Sequence, residues 1–217
     1  MKFLGCFVMG YLFGSFPTGL LLVYLLRGVD IRNYGSGNIG ATNVGRLLGK
    51  PGAIGVALTD MIKGGLGVLA ARFAGVTDPG LLALVGFAAV CGHNFPIWLR
   101  FRGGKGVATS FGVFFFLGVA LEPTGGLLWL GAPLGGLFWY LLLKTTRFVS
   151  ISSMLSVPSV ALIFRLLGAP WEYSALALAL GVLAICRHSQ NIRHLLDGTE
   201  SKVGKNKGSS SEPSEEE

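Results

Sequence analysis

Seven apolar stretches can be marked off along the chain, at residues 3–26, 53–75, 80–99, 107–121, 125–143, 148–168 and 172–186. A helix needs about 20 apolar residues to cross a bilayer. Most of the seven meet that length, and the fourth and seventh must borrow flanking residues. The runs are solid, without the alternating segments of about 10 residues that mark a membrane β-barrel. The pattern therefore predicts an all-α, polytopic integral membrane bundle of seven transmembrane helices. The first run follows Lys2 and contains Leu4-Gly5-Cys6, a faint likeness to a lipoprotein cleavage box. The cysteine comes too early for a cleavable signal and the run continues to Leu26, so it reads as a retained first span.

Composition agrees with this class. Hydrophobic residues make up 51% of the 217, charged residues 13%, and the mean hydropathy is +0.61. A soluble domain carries about 25% charged residues, so there is too little polar side chain to cover a water-facing globule. Glycine is in excess, at 34 residues, without the Gly-X-Y period of collagen. Cys6, Cys91 and Cys186 sit in apolar runs with no partner spacing and read as small buried hydrophobes.

The net charge of +7 raises the question of nucleic acid, but the cations are divided among short loops. Fourteen of them fall in segment 27–52, in the third and fifth loops (with Arg100, Arg102, Lys105, Lys144 and Arg147) and after the last span. The opposite side has Lys2, Arg72 and Arg165, and Lys63 lies inside the second span. The excess of cytoplasmic Lys and Arg in membrane proteins then predicts an outside N-terminus and a cytoplasmic C-terminus. Residues 1–200 form the membrane domain. Residues 201–217, rich in Ser, Gly and Lys and ending in three glutamates, read as a disordered cytoplasmic tail with no assigned function.

Polar chemistry collects in three places. Gly35-Ser36-Gly37-Asn38-Ile39-Gly40-Ala41-Thr42-Asn43-Val44-Gly45-Arg46 combines glycines, which allow converging backbone amides, with neutral donors and a guanidinium suited to phosphate. It lacks the Gly-Lys-Ser/Thr ending and the βαβ setting of a P-loop. Arg100-Phe101-Arg102-Gly103-Gly104-Lys105-Gly106 places glycines around a lysine just before a helix start, a second phosphate-binding design. Arg187-His188-Ser189-Gln190-Asn191-Ile192-Arg193 puts His188 and Asn191 on one helix face. Ser150, Ser152 and Ser153 beside Arg147 offer hydroxyls or helix caps. His93, in Gly92-His93-Asn94-Phe95-Pro96, either packs or lines the site. Asp60 and Lys63, at i and i+3 inside the second span, fit a structural ion pair and a substrate role equally well.

Apart from this intramembrane pair, every cluster falls on the predicted cytoplasmic side. That describes a pocket for a small anionic, phosphorylated molecule that could admit a lipid chain laterally. A transporter of phosphorylated solutes is the competing class. The absence of an evident repeat, and clusters on one face instead of at the midplane, weigh against it.

Three blocks resemble the signatures of the bacterial acyl-phosphate:glycerol-3-phosphate acyltransferases, the PlsY family. They are residues 35–43, residues 101–109 and Arg187-His188 with Asn191-Ile192; Gly14-Ser15-Phe16-Pro17-Thr18-Gly19 and Asp60-Met61-Ile62-Lys63-Gly64 are similar to further patterns of that family. The resemblance covers about residues 3–204. It implies a seven-span enzyme of the bacterial inner membrane, with its active site on the cytoplasmic side. That enzyme would transfer an acyl group from fatty acyl phosphate to the sn-1 hydroxyl of glycerol 3-phosphate. The product would be lysophosphatidic acid, formed without a covalent acyl-enzyme. Lys105, His188 and Asn191 would be catalytic. Ser36, Gly37, Asn38, Gly40, Thr42, Asn43, Arg46, Gly103, Gly104, Gly106 and Ser153 would bind substrate, with Asp60 and Lys63 in support. No cofactor, metal, nucleic acid or obligate protein partner is expected; the partners are the two substrates and the membrane lipids. The His-x4-Asp dyad of the other large glycerolipid acyltransferase class is missing, since no histidine has an aspartate five positions on.

Overall fold

A computed structural model describes residues 2–120 and 126–204. Among these residues the chain is helical, without strands: α1 (Lys2–Ser15), α2 (Thr18–Arg27), α3 (Ala41–Phe73), α4 (Pro79–Asn94), α5 (Val107–Ala120), α6 (Gly131–Thr146), α7 (Val149–Leu166), α8 (Trp171–Arg187) and α9 (Ser189–Leu196). Each of the seven apolar stretches carries helix. Four segments are long and apolar enough to cross a membrane: Phe3–Arg27, Ala41–Phe73, Pro79–Leu99 and Val149–Leu166. The pair α8–α9, bent by 60°, makes a fifth if taken together. The helix α5 is apolar but only 14 residues long.

Two of these segments are broken, for local reasons. In α3, Gly49 has φ 69° and ψ −169°, and Pro51 follows. Residues 41–48 therefore form a short helix of their own ahead of the apolar run, in a stretch that the hydropathy pattern left as loop. In the first segment the helix stops at Ser15 and restarts at Thr18 around Phe16-Pro17, since proline has no amide hydrogen to continue the ladder. Such a break leaves carbonyls unpaired at the end of α1 and amides at the start of α2. The Lys63 ammonium donates to the Phe16 carbonyl at 2.7 Å. The Thr18 hydroxyl donates to the Asp60 carboxylate at 2.5 Å, and Asp60 and Lys63 pair at 2.7 Å. Each charge thus sits at the half-helix end whose dipole it complements.

Helices α1 and α4, α3 and α5, and α7 with α6 and α8 are the closest neighbours. Small residues permit this: a Cβ on Gly14 would lie 1.8 Å from the Ala89 carbonyl oxygen, and one on Gly112 1.9 Å from that of Met61. The main core runs through α4, α5, α7 and α8, with Phe114 edge-on to Phe164 at 5.7 Å. A second apolar cluster, Val23, Ile31, Ile39, Val44, Val56 and Leu99, seats the loop before α3 and ties it to the turn after α4.

The cysteine reading needs correcting. Only Cys6 is buried; Cys91 is partly so and Cys186 is exposed. An apolar run in a chain of this composition marks an outer face as readily as a core, so hydropathy alone could not separate them. At the C-terminal end the Val203 amide donates to the Arg147 carbonyl at 2.9 Å and the Lys202 ammonium lies 5.2 Å from the Phe148 ring. Residues 201–204 thus rest against the α6–α7 turn, and the rest of the expected tail, 205–217, lies outside the described residues.

Candidate active site

The loop before α3 is built around Asn43, whose side chain is buried. Its amide group donates to the carbonyls of Tyr34 and Asn38, each at 2.9 Å, and more weakly to that of Ile31 at 3.4 Å. Its oxygen accepts from the Ser36 amide at 3.0 Å and from Arg46 at 3.4 Å. The Gly37 amide donates to the Tyr34 carbonyl, and the Gly40 amide to the Asn38 side chain at 2.8 Å. The expected nest of free amides is therefore largely consumed inside the loop at Ser36, Gly37 and Gly40. Asn43 and Asn38 act as its internal braces. What the loop presents outward are the exposed side chains of Ser36, Thr42 and Arg46, together with the Ala41 and Thr42 amides at the start of α3; those of Asn43 and Val44 donate to the Gly40 carbonyl.

The loop before α5 differs in the same way. The Gly103 amide donates to the Asn94 carbonyl and the Gly104 amide to that of His93, at 3.1 and 3.0 Å. A Cβ on Gly103 would lie 2.1 Å from the His93 carbonyl oxygen, and one on Gly104 2.0 Å from His93 Nε2. These two glycines serve close packing on the end of α4, which corrects the expectation that their amides face a ligand. Gly106 adopts φ 77° against the Asn94 side chain. Upstream, Arg100 and Phe101 both take left-handed backbone, at φ 50° and 61°, a conformation that costs about 1–3 kcal/mol per residue and persists only where the surroundings impose it. From the other side, Arg187 donates Nε to the Gly104 carbonyl at 3.1 Å and Nη2 to that of Gly103 at 3.0 Å. Its guanidinium also stacks 5.1 Å from the Phe95 ring centre.

So held, the loop delivers Lys105 to the α8–α9 junction, where its ammonium donates to the Asn191 side-chain oxygen. The Asn191 amide donates to Glu200 at 2.8 Å, and Glu200 also accepts from the Ser150 hydroxyl at 2.7 Å. One polar chain therefore links the third loop, α9, the segment after it and the start of α7. Burial pushes the Lys105 amine down to about 8; Glu200 opposes that, and the cations Arg187 and Arg46 add to it. His188 is buried, and its Nδ1 lies 2.7 Å from the Ala184 carbonyl. A carbonyl only accepts, so Nδ1 carries the hydrogen and Nε2 is left as an acceptor. Burial first, and the Lys105 cation second, lower His188 to about 4, so the ring is neutral at physiological pH.

Of the remaining expected residues, Ser153 accepts the Trp139 indole N–H at 3.1 Å; Ser150, one turn earlier, is the hydroxyl that joins the Lys105 chain. Asp60 and Lys63 lie beneath this assembly. His93 Nδ1 stands 3.6 Å from Asp60, beyond hydrogen-bond reach, while its ring underlies Gly104. His93 is thus a packing residue that touches the site from below. Glu200 was not singled out from sequence. It follows the helix end three residues after Asp197, and no spacing rule marks it. Among the described residues no group of three or more His, Cys, Asp or Glu side chains is arranged to hold a metal ion.

The family model described as glycerol-3-phosphate acyltransferase matches residues 4–198. The chain is 44% identical over 204 residues to the glycerol-3-phosphate acyltransferase of Synechococcus elongatus, covering 91% of this chain and 92% of that one. It is 45% identical over 198 residues to that of Thermus thermophilus, covering 91% and 93%. Among solved structures it is similar to PlsY (YgiH), an integral membrane glycerol 3-phosphate acyltransferase. The glycerol 3-phosphate form superposes with a TM-score of 0.82 at 37% identity, covering 94% of this chain and 96% of that one. The lysophosphatidic acid form superposes with a TM-score of 0.81 at 36% identity and the same coverage.

Proposed function

This chain belongs to the glycerol-3-phosphate acyltransferase family, and from that premise we propose that it transfers a fatty acyl group from acyl phosphate to the sn-1 hydroxyl of glycerol 3-phosphate. The products are lysophosphatidic acid and inorganic phosphate. The observation that carries the reading is the meeting at Lys105 of groups from three separate segments: Asn191 as its hydrogen-bond partner, with Arg46 and Arg187 close enough to depress its amine. Both substrates are phosphates, and this is a recessed cationic centre with neutral donors around it.

Chemically, the substrate hydroxyl oxygen attacks the acyl carbonyl carbon, a C–O bond forms, and the bond from that carbon to the phosphate oxygen breaks. Phosphate departs with the electron pair. Lys105 and Arg46 compensate its charge, with Ser36 and Thr42 at the rim and Ser153 offering its hydroxyl hydrogen. Asn38, Gly37, Gly40 and Asn43 shape the first loop; Gly103, Gly104 and Gly106 shape the second. His188 accepts a hydrogen bond from the attacking hydroxyl at Nε2, and Asn191 aligns the two partners. A ring held near 4 is a poor store for a proton at neutral pH. The departing phosphate of the donor takes the hydroxyl proton instead, and no acyl-enzyme forms. Acyl phosphate is already activated, so orientation and charge stabilisation suffice.

The setting is the bacterial cytoplasmic membrane, crossed by seven spans, with the site open to the cytoplasm and no cofactor or obligate protein partner. Purified protein given synthetic acyl phosphate and glycerol 3-phosphate is expected to release lysophosphatidic acid and phosphate in equal amounts. Arg46→Ala and Lys105→Ala are expected to lose about 100-fold or more in kcat/KM while remaining folded. Folded protein that makes no product would sink the enzyme reading, and normal kinetics in both variants would refute the phosphate clamp.

A further inference from the structure

We infer that Arg187 is a positioning residue for the transfer: it holds the backbone on which Lys105 is carried, and so sets the ammonium against both phosphates. The inference rests on the acyltransferase reading above.

Arg187 makes no hydrogen bond to the side chains of Lys105, His188, Asn191 or Arg46. It spends Nε and Nη2 on two successive backbone carbonyls, those of Gly104 and Gly103, which immediately precede Lys105. The planar fork of a guanidinium fits two neighbouring acceptors in a way that a lysine ammonium does not. The opposite side of the same dipeptide is bonded to α4 through the His93 and Asn94 carbonyls. The loop is thereby clamped between α4 and α8, with the Phe95 ring closing the stack on the guanidinium.

A second link runs parallel to the first. Lys105 is one residue beyond Gly104, and Asn191 is four residues beyond Arg187, across the bend between α8 and α9; Lys105 and Asn191 bond to each other. These two links have different fates in a turnover. A phosphate drawn to Lys105 competes for the ammonium that Asn191 holds. Arg187 is committed through two donors to the loop's backbone and stacked on the Phe95 ring, so its hold on the loop does not depend on Asn191. When Asn191 turns to the substrate, Arg187 is what keeps Lys105 in place. Lys105 is also faced by Arg46 from α3, Glu200 from the segment after α9, and His188 at the junction.

The alternative is that Arg187 only satisfies two carbonyls that would otherwise be unpaired in a poorly hydrated place. Arg187→Lys and Arg187→Gln separate the two roles. With kcat and KM measured per folded molecule, Arg187→Lys is expected to lose about tenfold and Arg187→Gln about 100-fold in kcat, the scale of a catalytic group displaced by about 1 Å. Removing the nearby cation in Arg187→Gln also raises the pH at which Lys105 loses its proton, whereas Arg187→Lys leaves it in place.

Acetylation of Lys105 by acetic anhydride, followed by mass spectrometry between pH 6 and pH 10 (roughly two units either side of the Lys105 midpoint), reads that titration without turnover. Failure of the unsubstituted protein to make product would therefore count against the acyltransferase reading, while the amine titration still decides this one. If Arg187→Gln does not fold, Arg187→Lys decides alone. Wild-type kcat and KM in Arg187→Lys would overturn the inference. So would losses that only track the amount of folded protein, or a Lys105 titration unmoved in Arg187→Gln.

Discussion

At the scale of single residues, two groups in the site are held away from their ordinary ionisation, and each has a signed consequence. Lys105 sits near 8, so its cation is complete well below that pH and is lost as pH rises through it. His188 sits near 4, so it stays neutral across the same range and adds no acid limb between pH 5 and pH 7. Relative to substrate ionisation, kcat/KM is expected to fall on the alkaline side with a midpoint near the Lys105 value. Glu200 opposes the depression of Lys105; Glu200→Gln removes that opposition and is expected to move the alkaline limb to lower pH. In the same assay His188→Gln tests the proton route. Removing a general base costs about 10²–10⁴-fold, so a loss below about 100-fold leaves the donor phosphate as the acceptor. A larger loss with unchanged substrate binding would return that role to His188.

At the scale of elements, the broken first segment is closed by a buried ion pair. Asp60 and Lys63 are both buried, and they close the ends of α2 and α1 through Thr18 and Phe16. Removing one member of a buried pair leaves an uncompensated charge and costs about 3–5 kcal/mol, whereas removing both costs much less than the sum. Asp60→Asn and Lys63→Met are each expected to lower the unfolding temperature in detergent by many degrees, and the double Asp60→Leu/Lys63→Met to recover part of the loss; strict additivity would refute the coupling. This also marks how far the sequence could be read. The helices α4 to α8 followed from hydropathy, because burial in a bundle needs only apolar runs. The helix at 41–48 and the break at Pro17 did not, since Gly49, Pro51 and Pro17 set them locally and an apolar run does not register where its backbone ladder stops. The site was legible as to which segments meet, through Lys105, His188 and Asn191. It was misread as to why glycines stand at 103 and 104: spacing suggests free amides, and the structure uses them for contact with α4. Arg187 and Glu200 bond to backbone and to other side chains in the fold, relations that no local pattern encodes.

At the scale of the whole molecule, the basic loops fix the side on which each segment ends, while packing depth bears on how many helices cross the bilayer. Losing any single span would scramble the alternation of basic loops. Losing α5 and α6 together would not, because a hairpin that enters and returns preserves the side of every later loop. These two helices have 14 and 16 residues, short of the roughly 17–25 that ordinarily span. What favours crossing is position. Helix α5 packs on α3 with Gly112 against the Met61 backbone, one residue from Asp60 and therefore deep in the second span, and its later residues Phe114 and Leu117 are fully buried in the main core. A loop that turned back at the cytoplasmic surface would not reach that depth. Leu127, exposed between the two helices, distinguishes the cases. With Cys6, Cys91 and Cys186 replaced, single cysteines at Leu127 and at Thr77 are both expected to react with an impermeant maleimide from the outer side. Single cysteines at Thr145 and Asp197 are expected to react only from the cytoplasmic side, in inverted vesicles. Labelling of the Leu127 position from the cytoplasmic side would reduce the crossings to five and leave the basic loops, and the site they form, where they are.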